Sequence, residues 1–157
     1  MSDSKSTHVI SETARIPAPA DRIYAIIADY RNGHPRILPK QFSGLTVDQG
    51  GVGAGTVIRF EMRSFGRAQK FEGVVSEPQP GRVLAETYSD GTVTSFTLSP
   101  SASGSDTEVT IKTELPAHRG LAGAMERFLA ARYLRPIFVE ELKLLAVAAA
   151  NGERPGR

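Results

Sequence analysis

The chain has 157 residues and no cysteine, and its 19 Lys and Arg against 17 Asp and Glu leave a formal charge of only +2. A near balance of charge gives no ground for a nucleic-acid partner, and the missing cysteine excludes disulfides, thiolate metal sites and cysteine nucleophiles. Met1 to Thr7 lacks the apolar run of a signal peptide and no stretch of about 18 apolar residues occurs, so a cytoplasmic protein with no integral membrane segment is expected. The length suits a single domain, placed at 8–150, with flexible ends at 1–7 and 151–157.

The first strand is predicted over 8–16 and stops at Pro17-Ala18-Pro19, where two prolines remove backbone donors. A short helix follows over 20–30, with Ile23, Ile26, Ile27 and Tyr30 at the three-and-four spacing of one buried stripe and Asp21 near the positive end of the dipole. Residues 31–40 hold two prolines and a glycine and read as a compact connector with one helical turn. Strands are predicted at 42–49, 56–63, 67–77, 82–89, 92–99 and 107–114, separated by glycine-, proline- and serine-rich turns. Asp90-Gly91 carries the pattern of a two-residue hairpin turn, since both residues accept positive φ. Links this short require antiparallel neighbours, which gives a meander of about seven strands, counting the first. A long amphipathic helix then fills 120–150, about 45 Å at ~1.5 Å per residue. Pro136 in its middle is expected to kink it near Arg132 to Leu134 or split it.

Alternation assigns the strand faces. Ile58, Phe60 and Met62 point inward, which sends Arg59, Glu61 and Arg63 to water. Phe71, Gly73 and Val75, then Thr94, Phe96 and Leu98, then Val109, Ile111 and Thr113 take the same face on their strands. On 82–89 the larger apolar groups Leu84 and Tyr88 are placed inside and carry Glu86 with them. The first strand does the same to Glu12 if Ile10, Ala14 and Ile16 face inward. The apolar stripe of the long helix is drawn through Leu121, Met125, Phe128, Leu129, Ile137, Leu142, Leu145 and Ala148. Arg127, Arg135, Glu140, Glu141 and Lys143 are placed mostly off it.

The run Ile16-Pro17-Ala18-Pro19-Ala20-Asp21-Arg22-Ile23-Tyr24, the glycine-rich turn into Gly55-Thr56, Glu77-Pro78 before Gly81-Arg82, and the long closing helix together resemble the START-like superfamily, which includes Bet v 1 and the polyketide cyclase/dehydrase group. The likeness covers roughly residues 8–150. It implies an α+β helix-grip fold: a curved antiparallel sheet of about seven strands around a long C-terminal helix, with short helices after the first strand and a hydrophobic cavity between sheet and helix. It also implies ligands such as lipids, sterols, quinones or polyketides, with cyclisation or dehydration in some members and chaperone assistance in others. Fold alone does not choose among these.

Three residues are candidates for chemistry. His34, in a connector that the resemblance puts near one end of the cavity, can exchange a proton near neutral pH; the plainer alternative is a histidine that hydrogen-bonds its loop. Glu86 and Tyr88 can form an acid and hydroxyl pair aimed at a carbonyl, unless a register shift leaves Glu86 in solvent. Glu12 shares that ambiguity, and Arg132 and Tyr133 can cap a polar ligand group or serve as ordinary helix residues. The apolar lining is expected from Phe60, Met62, Phe71, Tyr88 and Phe96 on the sheet and from Met125, Phe128, Leu129 and Tyr133 on the helix.

Gly51-Val52-Gly53-Ala54-Gly55 lacks phosphate-loop spacing and leads into a strand, so it is expected to be a flexible turn at the cavity mouth. His8, His34 and His118 have no metal-ligand spacing, so neither metal nor other cofactor is expected. The leading expectation is binding of a small hydrophobic molecule, a lipid, quinone or polyketide-like compound, in an internal cavity. The alternative is a polyketide cyclase or dehydratase using Glu86, Tyr88 or His34, and the third is a protein-interaction module. Carriage and catalysis both stay open, and monomer and homodimer are equally compatible with the chain.

Overall fold

Alternating apolar and polar residues build a sheet whose two faces differ, and the computed structural model, which describes residues 6–151, places the apolar face against a helix. In chain order the elements are β1 (Ser6–Ile16), α1 (Ala20–Ala28), a 3-10 helix (His34–Ile37), β2 (Phe42–Gln49), β3 (Val57–Ser64), β4 (Arg67–Gln79), β5 (Val83–Tyr88), β6 (Val93–Pro100), β7 (Thr107–Ala117) and α2 (Gly120–Asn151). Ser6 and Thr7 thus belong to a strand and Asn151 to a helix; the rest of the expected flexible ends, 1–5 and 152–157, lies outside the described residues.

The seven strands run in the order β1-β7-β6-β5-β4-β3-β2, all antiparallel. The meander covers β2 to β7, while β1 pairs with β7 and α1 with the 3-10 helix carries the chain from one sheet edge to the other. Register shifts between Ser43 and Thr46, Val47 and Gln49, and Ser76 and Gln79 mark bulges. Bulges increase local twist and let a sheet curl. α2 packs on β1 and β7 and against α1 and the 3-10 helix, which makes this the helix-grip arrangement. The core joins Ile10, Ile16, Ile23, Ile27, Leu84 and Phe96 to Ile137, Leu142 and Leu145 of α2.

Three local expectations change. The two-residue turn with positive φ at both positions occurs at Phe65-Gly66 between β3 and β4, with φ of 49° and 77°. At Asp90-Gly91 only the glycine is left-handed, and the Tyr88 amide donates to the Thr92 carbonyl across a three-residue loop. The Asp90 carboxylate accepts from the Thr92 amide at 2.9 Å, an Asx contact that holds Asp90 at negative φ and requires the extra residue. Pro136 does not split α2: it sits on the exposed side, and one helix runs through it.

The glycine-rich segment is fastened away from the cavity mouth. The Tyr30 amide donates to Gly51 O at 2.8 Å and the Gly53 amide to Ala28 O at 3.0 Å, so the segment closes the end of α1. Glu77 completes the tie, accepting from Tyr24 Oη at 2.7 Å and from the Ala54 amide at 3.0 Å. Those two donors, the amide first, lower the Glu77 pKa, and burial with the neighbouring carboxylate raises that of Tyr24. The backbone at Gly53 has a φ of +69°, a left-handed conformation that favours glycine. Among the described residues no helix is long and apolar enough to cross a membrane.

Candidate functional site

A cavity of about 290 Å³ lies between the concave sheet face and α2. Its walls are the inward residues of β3 to β7, including Ile58, Phe60, Met62, Phe71, Tyr88 and Phe96, opposed by Ala130, Tyr133, Leu134 and Phe138 of α2. Three rings interlock on the sheet side: Phe60 stacks on Phe71 at 5.4 Å and meets Tyr88 edge-on at 5.6 Å. The Tyr88 ring lies flat over β4 because residue 73 is glycine; a Cβ there would come within 2.8 Å of the ring. Exposed Phe65 and Asp90 belong to the lining and mark where it meets solvent.

At the inner end polar groups converge. Glu86 is 4% exposed, and its carboxylate accepts from Tyr30 Oη on one oxygen and from Tyr88 Oη on the other. His34 Nε2 stands 3.6 Å from the first oxygen. The His34 ring is clamped, stacked on Tyr30 at 4.4 Å and edge-on to Phe96 at 5.8 Å. Its Nδ1 is 2.8 Å from Ile27 O, an acceptor only, so the proton sits on Nδ1 and Nε2 is the atom free to exchange one toward Glu86. Burial, then the charge of Glu86 and the hydrogen bond to it, push the Tyr30 and Tyr88 hydroxyls well above their usual pKa, so both remain donors. Thr94 and Thr113, linked at 2.8 Å across β6 and β7, add hydroxyls to the wall.

The three candidates for chemistry, His34, Glu86 and Tyr88, come together although they stem from the 3-10 helix and from β5. Phe60, Met62, Phe71, Tyr88, Phe96 and Tyr133 line the cavity. Met125, Phe128 and Leu129 do not: all three are exposed, Phe128 by 59%. At about 100° per residue they fall on the side of α2 opposite Leu134, Phe138 and Leu145, so the single stripe drawn through the whole helix is really two. Tyr133 lies toward the solvent end, where its hydroxyl donates to Arg63 O and its ring tilts against Phe65 at 5.1 Å. Glu12 is outside the lining, paired with Arg135 at 3.1 Å, and Arg132 is exposed.

Two residues of the polar end were missed as site residues. Tyr30 was placed in the core without a role, since its partner Glu86 is 56 positions away. Glu141, assigned to the polar side of the long helix, is 5% exposed and lines the cavity. Burial first, and then the charge of Glu86, raise its pKa well above the carboxylate range. The signal was present: residues 134, 138, 141, 145 and 148 alternate steps of four and three, the spacing of a buried stripe. Among the described residues no three His, Asp or Glu side chains gather where they could hold a metal ion.

The profile of the family described as polyketide cyclase / dehydrase and lipid transport matches residues 7–150. The structure is similar to that of KanY protein, with a TM-score of 0.78, 28% identity, and coverage of 94% of this chain and 99% of that one. It is similar to the ZhuI aromatase/cyclase from a Streptomyces species, with a TM-score of 0.73, 18% identity, and coverage of 95% and 97%. It is also similar to norcoclaurine synthase from Thalictrum flavum in complex with dopamine and hydroxybenzaldehyde, with a TM-score of 0.72, 15% identity, and coverage of 97% and 91%. No curated protein sequence matches. The chain belongs to the polyketide cyclase / dehydrase and lipid transport family.

Proposed function

We propose that this family member takes a small, largely apolar molecule of one or two rings into the cavity, with the polar part of the ligand at the Glu86 end. The observation that carries the reading is the division of the cavity: aromatic and aliphatic walls along most of its length and a hydrogen-bonded polar cluster at one end. Apolar walls gain about 25 cal/mol per Å² of ligand surface removed from water, and a few fixed polar groups orient what enters. The volume of about 290 Å³ is near the lower end of the ~300–1,000 Å³ usual for ligand pockets, which favours compact molecules over long acyl chains. Native mass spectrometry of freshly purified protein is expected to detect a noncovalent small-molecule adduct, and Ala130→Phe, which fills the space from α2, to remove it. An empty wild type that also takes up no added naphthalene-sized probe contradicts the reading.

The locked ring of His34 supports a second reading, acid–base chemistry on a carbonyl compound. A base at Glu86, or at His34 Nε2 beside it, can take a proton from the carbon next to a ligand carbonyl, the elementary step shared by cyclisation and dehydration. The measurement is solvent deuterium entering the methyl group of 2-acetylnaphthalene in D2O. Wild type is expected to accelerate it and Glu86→Gln to abolish the acceleration; equal rates with and without protein leave only binding.

A further inference from the structure

Resting on the cavity reading, we propose that the Glu141 carboxyl is a hydrogen-bond donor for an uncharged carbonyl oxygen of the ligand, so that the site selects ketone- or quinone-type molecules over carboxylates. Glu141 projects from the gripping helix into the same cavity as Glu86, among apolar helix neighbours Leu134, Phe138 and Leu145. Its position is that of a packing residue, and its chemistry is not.

The partners of the two carboxyl groups decide which of them keeps a proton. Glu86 receives two tyrosine hydroxyls and faces His34, so its charge is compensated within the protein. Among the described residues no hydrogen bond joins the Glu141 carboxyl, which lines the cavity, to another protein group. Two carboxylates sharing one water-poor site repel each other, and the one without donors takes the proton. The raised pKa of Glu141, from burial and from the charge of Glu86, agrees with that assignment. A protonated carboxyl carries an O–H that needs an acceptor when buried. A neutral carbonyl oxygen supplies one without adding charge. A ligand carboxylate would set a second negative charge beside Glu86, where Tyr30 and Tyr88 are already engaged with that residue.

The test uses three probes of nearly equal shape, 2-acetylnaphthalene, 2-ethylnaphthalene and 2-naphthoate, titrated by calorimetry into wild type, Glu141→Gln and Glu141→Leu, with thermal melts to confirm that each variant is folded. Wild type is expected to bind the ketone about tenfold tighter than the hydrocarbon, the worth of one net hydrogen bond, and to bind the naphthoate least. Glu141→Gln, which keeps a donor, retains most of the preference, and Glu141→Leu brings the ketone-to-hydrocarbon ratio to about one. An unchanged ratio in Glu141→Leu overturns the proposal and transfers the role to another donor, with the cavity reading intact. Preference of wild type for the naphthoate also overturns it. Binding of none of the three by folded wild type defeats the cavity reading, and the proposal with it.

Discussion

In the C-terminal half of α2, Ile137, Phe138, Leu142 and Leu145 are buried against the sheet, whereas in the N-terminal half Leu121, Met125, Phe128 and Leu129 face solvent, Leu121 by 92%. The halves are alike in apolar content and differ in direction. With about 100° between successive residues, the two sets lie about half a turn apart, and the body of the protein can bury only one of them. The buried set grips the sheet and forms one wall of the cavity. The exposed set does neither. Apolar residues on a helix thus become lining only when their azimuth agrees with the residues that pack.

The contrast makes predictions of decreasing size. Leu145→Ala removes a fully buried side chain and is expected to cost about 2–5 kcal/mol, read from urea unfolding as a lower midpoint at unchanged m. A loss near zero puts the grip elsewhere. Glu141→Gln sharpens the comparison from within the buried half through pH. The folded-state pKa of Glu141 is raised above its ordinary 4.5, so the native protein binds the proton more tightly than the unfolded chain. Its contribution to stability is therefore complete below that value and is lost as pH rises toward the folded-state pKa. Wild type is expected to lose stability relative to Glu141→Gln as pH rises from about 5, measured by parallel denaturant titrations; equal slopes for the two proteins contradict the raised pKa. Phe128→Ser, in the exposed half, is expected to change stability by no more than about 0.5 kcal/mol in the same assay, and a cost like that of Leu145→Ala means that Phe128 is covered in solution.

The parts of this arrangement that depend on local pattern were legible in the chain. Alternation put Ile58, Phe60 and Met62 on one face and carried Glu86 inward with Leu84 and Tyr88, as observed. Pro35 beside His34 marked a tight connector, which became the 3-10 helix that presents the imidazole. What depended on long-range pairing was not legible. Nothing near Tyr30 announces Glu86, and nothing within the glycine-rich segment announces that it closes the end of α1. Glu141 falls between these cases, because its spacing fits the buried stripe while its charge argues for the surface. Burial of a carboxyl is affordable here because the group can take up a proton. A preference for composition over azimuth drew Met125, Phe128 and Leu129 into the lining, although they lie on the other side of the helix.

The central claim is that the cavity, and not the exposed apolar side of α2, receives the ligand. Two of the methionines separate the possibilities, since the Met62 side chain lines the cavity and that of Met125 is exposed on the opposite side of the helix. With methyl-labelled methionine and 2-acetylnaphthalene as probe, intermolecular nuclear Overhauser effects are predicted at the Met62 methyl group and absent at Met125. Contacts at Met125 with none at Met62 would contradict the account.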